Sequence, residues 1–171
     1  VGMRRPNIIL ILILAPLLFS STLFSQENKR YTQKVDYIEG TIMSSNDGIF
    51  KLLDGTIWYT NLPVYILPIT DIIIILESKN LGNAFFDGYN TPIELLKGKY
   101  LTQSGLFSYV INEYGKGAVI KLEDGSLWDV PQYDQYDTGW WLPPYPVLIT
   151  SNELYMINLK KGKKVWVSRA R

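Results

Sequence analysis

The chain has 171 residues, 47% hydrophobic and 19% charged, a balance that supports a packed core and argues against disorder. It contains no cysteine and no histidine, which excludes disulfides, thiolate nucleophiles, histidine-based triads and Cys/His zinc sites. The formal charge is +1, and Arg4 and Arg5 account for its sign, so nothing global points to a nucleic-acid binder.

Arg4-Arg5 precedes an unbroken apolar run from Ile8 to Phe19, followed by the hydroxyl-rich exit Ser20-Ser21-Thr22-Leu23-Phe24-Ser25. This is the pattern of a secretory signal peptide over residues 1–25, cleaved near Ser25; an uncleaved anchor is the competing reading. Even extended to Phe24, the segment is shorter than the ~20 residues that span a bilayer comfortably. The leader fits bacterial export, to the periplasm, the outer surface or the medium. No stable membrane insertion is expected once it is removed. Gln26 to Lys34 is polar and reads as a tether.

From there the chain alternates apolar and polar residues between turn signals, the pattern of strands. Val35 to Met43 is the first, and Ile49 to Leu53 with Thr56 to Thr60 form a hairpin about Asp54-Gly55. Asp71 to Glu77 carries four isoleucines and is expected to be buried on both sides; exposed, it would be an edge for self-pairing. Leu81 to Asn90, with two glycines and two asparagines, reads as a loop. Pro92 to Leu96 and Tyr100 to Gln103 flank a turn at Lys97-Gly98-Lys99.

The same order then returns. Leu106 to Asn112 is followed by a hairpin of Ala118 to Leu122 and Ser126 to Val130 about Asp124-Gly125, then by Val147-Leu148-Ile149. Leu154 to Leu159 and Val165 to Val167 correspond to Pro92 through Gln103. Lys51-Leu52-Leu53-Asp54-Gly55-Thr56-Ile57-Trp58 reappears seventy positions later as Lys121-Leu122-Glu123-Asp124-Gly125-Ser126-Leu127-Trp128, five of eight positions identical. The expectation is an all-β chain of two tandem small SH3-like or OB-like barrel units, residues 35–103 and 104–171. Units this small sit near the lower limit for an independent core, so they are expected to pack together.

Two registers are open to each Asp-Gly hairpin. A two-residue turn sets Lys121 opposite Trp128 and turns Asp129 to the face of Ile120 and Leu122. A three-residue loop, with Gly125 left-handed in a bulge, pairs Ile120 with Trp128 and leaves Lys121 and Asp129 outside. Burying an unpaired Asp129 is costly, so the bulged register is expected, with Trp58 and Trp128 as core residues.

The pattern Lys-Leu-x-Asp-Gly-Ser/Thr-x-Trp, then Leu-Pro and Val/Ile-x-Ile, resembles short β-repeat units of uncharacterised bacterial exported proteins. Their signature is a Leu-x-Asp-Gly-Ser-x-Trp hairpin, a Trp-x-Pro-Gly-Asp turn and a Val-x-Ile strand. The matching residues are Leu122, Asp124, Gly125, Ser126 and Trp128, then Trp141, Pro143, Val147 and Ile149. Pro144-Tyr145-Pro146 replaces the Gly-Asp turn, and the first copy has Ile66 in place of the tryptophan. The resemblance implies fold and compartment and carries no activity.

Carboxylate pairs are the remaining catalytic option. Asp134 and Asp137 would be the acid and base of a small envelope-glycan hydrolase. With Asp129 the same loop offers oxygens for calcium, without EF-hand spacing. The stronger signal is aromatic: Tyr133, Tyr136, Trp140, Trp141 and Tyr145 lie within thirteen residues of a segment that the first unit largely lacks. Such faces beside amides and carboxylates suit sugar rings or a partner protein; the alternative is a loop that caps its own barrel. Lys160, Lys161, Lys163 and Lys164 make the C-terminal edge basic. The functional expectation is an exported, non-catalytic binding or structural module of the bacterial cell envelope. It would have no cofactor or metal, and would contact an envelope glycan or protein partner through Tyr133, Tyr136, Trp140, Trp141, Tyr145, Lys161, Lys163 and Lys164.

Overall fold

The computed structural model describes residues 32–62 and 66–171. The expected signal peptide and residues 26–31 of the expected tether lie outside the described residues. Gln33 and Lys34 belong to a strand rather than to a tether. The strands are β1 Gln33–Asn46, β2 Ile49–Leu52, β3 Ile57–Tyr59, β4 Thr70–Leu76, β5 Leu81–Phe86, β6 Tyr89–Lys97 and β7 Gln103–Tyr114. They continue as β8 Val119–Leu122, β9 Leu127–Asp129, β10 Tyr145–Thr150, β11 Tyr155–Asn158, β12 Lys163–Trp166 and β13 Ser168–Arg169. Among the described residues one four-residue helix, α1 Gln135–Thr138, interrupts this all-β fold.

The first six strands close a barrel in the order β1-β2-β3-β6-β5-β4, with β4 returning to β1. Closure removes the sheet edges, and β1 serves it by changing partners along its length. Residues 37–42 pair with β4, and a register shift between Ile42 and Ser44 turns the strand onto β2. Inside lie Ile38, Ile42, Phe50, Leu52, Trp58, Ile72, Ile74, Phe86 and Ile93. On β4 the alternation sends Ile72 and Ile74 into this core and Ile73 outward into another apolar cluster, which is why the run reads as continuously apolar. Having β1 and β5 on its two sides, β4 is not an edge available for self-pairing.

β7 repeats the behaviour of β1. Its residues 105–110 pair with β10, and after a shift between Val110 and Asn112 it pairs with β8. β8 pairs with β9, β9 with β13, β10 with β11 and β11 with β12. A second core of Val110, Ile120, Leu122, Trp128, Trp141, Val147, Ile149, Met156 and Val165 fills the space they enclose. The starts of β1 and β7 pair antiparallel about the rung Asp36–Ser104, where Ser104 Oγ donates to Asp36 Oδ1 at 2.9 Å. Beside them a third cluster of Tyr37, Ile73, Phe85, Leu148, Ile157 and Leu159 joins the two cores.

Both Asp-Gly hairpins take the bulged register. Phe50 faces Trp58 and Ile120 faces Trp128, and the Leu122 N–H donates to Ser126 O at 3.0 Å. Gly55 and Gly125 hold φ of +86° and +83°, the left-handed region that a Cβ disfavours. The motif also encodes a relay. Trp58 Nε1–H donates to Thr56 Oγ1 at 2.9 Å, and that hydroxyl donates to Asp54 Oδ1 at 2.7 Å. Trp128 Nε1–H likewise donates to Ser126 Oγ at 2.9 Å, while the Ser126 N–H donates to Asp124 Oδ1 at 2.9 Å. A buried indole thus finds its acceptor two residues back, so Ser/Thr-x-Trp recurs for a physical reason. Burial pushes the Asp124 carboxyl up, but hydrogen bonds from Ser126 and Thr32 and the nearby Arg169 outweigh it, leaving the pKa below its usual value.

Two expected elements are corrected. Leu81 to Asn90 is not a loop: β5 and the start of β6 occupy it, joined at Asp87-Gly88, where both residues have positive φ. Its glycine and asparagine serve the sheet. A Cβ on Gly82 would sit 2.6 Å from Ile75 O, and Asn83 Nδ2 donates to Glu77 Oε1. Nor do residues 97–99 turn a hairpin. β6 already has β3 and β5 as neighbours, leaving no side for a strand over 100–102. The hairpin β11–β12 follows β10 as β5–β6 follows β4, so Leu81–Lys97 is its counterpart in strand order, not Pro92 to Gln103.

Candidate functional site

The loop between β9 and β10 is held at three points. Thr138 Oγ1 donates to Gly117 O at 2.7 Å, seating α1 on the β7–β8 turn. Gly117 has φ +90°, and a Cβ there would lie 2.3 Å from the Gly139 nitrogen, so only glycine admits this approach. Gln135 Nε2 donates to Val130 O at 2.9 Å. Finally, the Trp166 N–H of β12 donates to Asp134 Oδ2 at 2.8 Å, so a loop carboxylate satisfies a strand-edge donor.

The expected site residues divide sharply. Trp141 is fully buried in the second core and is out of reach of an external ligand. It packs among Val110, Trp128, Val147 and Met156 of that core. Tyr145 starts β10 half-buried against the same core. Tyr133, Tyr136 and Trp140 point outward, 69%, 80% and 62% exposed. One loop thus supplies both a core plug and three solvent-facing rings.

The basic residues, distant in sequence, lie against this loop. Lys160 and Lys161 Nζ sit 5.2 and 5.8 Å from the Tyr145 ring centroid, within cation–π range. Lys161 Nζ also reaches Trp140 O at 3.5 Å, and Lys163 pairs with Asp137 at 3.4 Å. Lys164 turns away, pairing with Glu39 at 2.9 Å and lying 4.9 Å from the Tyr155 ring. Tyr155 packs on Trp166 with centroids 4.3 Å apart. These surface pairs carry little stability, but they fix the side chains in one geometry.

Asp134 and Asp137 are both engaged by structural partners, Asp134 by the Trp166 N–H and Asp137 by Lys163. Among the described residues no group of three or more acids gathers to hold a metal ion, and Asp129 stands exposed on β9.

Two features leave little or no trace in the sequence. The Tyr155–Trp166 stack was signalled only by the alternation Lys164-Val165-Trp166-Val167, whose outward tryptophan is unusual for a solvated strand. A groove of about 980 Å³ beside the β1–β7 junction draws its lining from β1, β4, β5, β6 and β7, too far apart in sequence to signal one another. Comparison with protein-family models, with curated proteins and with solved structures gives no match.

Proposed function

We propose that this chain is an exported, non-catalytic module of the bacterial cell envelope that works by binding. Its contact surface is the loop 133–145 with the Lys160–Lys164 turn beside it. The carrying observation is that Trp140, Tyr136 and Tyr133 are exposed on a loop whose own backbone is fixed by Trp141, Thr138 and Asp134. Large rings held this way lose little freedom when a partner covers them, which favours recognition. The adjacent ammonium groups suit an anionic envelope glycan or an acidic protein face. Export rests on the leader pattern of residues 1–25. The engagement of Asp134 and Asp137 by structural partners favours binding over hydrolysis.

The same reading takes the chain as one small SH3-like or OB-like unit written twice. Its support is the strand order and the matching registers of β2–β3 and β8–β9. A further support is the β1–β7 pairing, symmetric about Asp36–Ser104. Pro92 of β6 pairs with Asn83, and Trp166 of β12 pairs with Tyr155, at the equivalent rung. Proline has no N–H to leave open there, whereas Trp166 needs the loop carboxylate of Asp134.

Co-sedimentation with purified cell-wall sacculi at low and high salt tests the binding reading. Retention is expected at low salt and should fall several-fold in a Lys161→Ala/Lys163→Ala variant. Failure to co-sediment with sacculi, together with no protein cross-linked through the loop in intact cells, would overturn it.

A further inference from the structure

The β11–β12 hairpin departs from its counterpart in the first half at the turn. Between Phe86 and Tyr89 the strands β5 and β6 are joined by two residues, Asp87-Gly88, whereas Asn158 and Lys163 are joined by four, Leu159 to Gly162. Two of those four are tied to the fold. Leu159 is buried in the third apolar cluster and its N–H donates to Pro146 O at 3.0 Å. Gly162 holds φ of +65°, and its N–H donates to Asn158 O at 2.8 Å. The other two are Lys160 and Lys161, whose ammonium groups lie within cation–π range of the Tyr145 ring.

Asn158 shapes this turn. It pairs with Val147 across β10, so its side chain shares the face of Val147 toward the second core, and it is fully buried. Its Oδ1 accepts the Lys160 and Lys161 N–H groups, both at 3.0 Å, so one buried oxygen orders the backbone of both lysines. Its Nδ2 finds no acceptor among the described residues, and an open buried donor is costly. The amide therefore serves through its oxygen. At the same rung of the first half stands Phe86, an apolar core residue beneath a turn that has no lysine. An apolar side chain satisfies the fold at this position, so the asparagine answers to a different requirement.

We propose that Asn158 is a positioning residue of the loop surface and that Lys160 joins Lys161 among its contact groups. The inference rests on the binding reading above. By fixing both lysines, Asn158 sets Lys161 Nζ 3.5 Å from Trp140 O and holds the two ammonium groups beside Tyr145. The exposed rings and the charges are then presented together before a partner arrives, and side chains ordered in advance lose less freedom on binding. Lys163 and Lys164 are committed to Asp137 and Glu39, whereas Lys160 and Lys161 are in no ion pair among the described residues.

The test compares Asn158→Leu, Asn158→Asp and Lys160→Ala with the parent chain, for melting temperature and for sacculus retention, with loop cross-linking in intact cells as a second binding readout. Leucine keeps the branched outline of asparagine, suits the apolar core and removes the open donor, so Asn158→Leu should melt within a few degrees of the parent. Having lost the oxygen that orders the turn, it should nevertheless bind several-fold less. Asn158→Asp keeps that oxygen and should recover most of the binding, even if its buried carboxylate lowers the melting temperature. Lys160→Ala, at an exposed position, should melt as the parent and bind several-fold less. Full binding by Asn158→Leu or by Lys160→Ala would overturn the proposal and leave the binding reading standing. So would a loss that Asn158→Asp shares equally, measured well below both melting temperatures. A parent chain with neither retention nor a cross-linked partner would overturn both.

Discussion

The two Asp-Gly hairpins share the Asp-Gly turn, the hydroxyl and the tryptophan and differ in what covers them. In the first, Thr56 is fully buried. Behind it the chain leaves β6 through Gly98, where a Cβ would come within 3.0 Å of the Thr56 Cα, and Tyr100 packs on Trp58 with centroids 5.6 Å apart. In the second, β13 contributes only Ser168 and Arg169; the guanidinium lies 5.8 Å from the Trp128 ring, and Ser126 stays partly open. The same indole-to-hydroxyl bond therefore works in two settings, one buried and one partly open. The motif sets the turn and the indole's partner, while the segment that follows the closing strand decides how much water reaches them.

Breaking the tryptophans has the largest expected effect. Trp58→Ala and Trp128→Ala should each cost about 3–5 kcal/mol by leaving a core cavity, read from denaturant unfolding. The hydroxyls sharpen the contrast. Thr56→Val leaves the Trp58 indole N–H buried without its acceptor, a loss of about 1–3 kcal/mol, whereas Ser126→Ala should cost less because water can replace the hydroxyl. Equal losses at both sites would show that the difference in burial has no energetic consequence. Gly55→Ala and Gly125→Ala should each cost about 1–2 kcal/mol, alike in both hairpins, since each has positive φ and open space around it.

The smallest effect is that of acid. The Asp124 carboxyl is held below its usual range, so its contribution to stability is fully present above the unfolded value of about 3.9. It is lost as pH falls through the lower folded value. Asp124→Asn should flatten the acid limb of stability against pH by lowering stability at neutral pH while leaving the most acidic end nearly unchanged, as thermal melts across pH 2–7 would show.

The second hairpin was legible in the sequence because one constraint, the cost of burying Asp129, decides its register, and the first follows it through the shared motif and the plain alternation of its strands. Leu81 to Asn90 was misread because its glycine and asparagines carry turn chemistry locally, while their use is tertiary: Gly82 passes beneath the Ile75 carbonyl and Asn83 bonds Glu77. The aromatic loop was legible as a cluster, but the division between Trp140 and Trp141 was not. Two adjacent residues of one type face opposite ways because Thr138 and Asp134 fix the loop's angle, and neither contact is encoded within the loop itself. The meeting of Lys160 and Lys161 with Tyr145 is likewise a product of the β10–β11 pairing, which brings position 158 beside position 147.

The most direct test of the account is to measure melting temperature and sacculus retention together for Trp140→Ala and Trp141→Ala. Trp141→Ala should be destabilised by about 3–5 kcal/mol, whereas Trp140→Ala should melt as the parent protein and be retained several-fold less. A Trp140→Ala protein retained as well as the parent, with its stability reduced instead, would contradict it and leave the loop as no more than a cap on its own barrel.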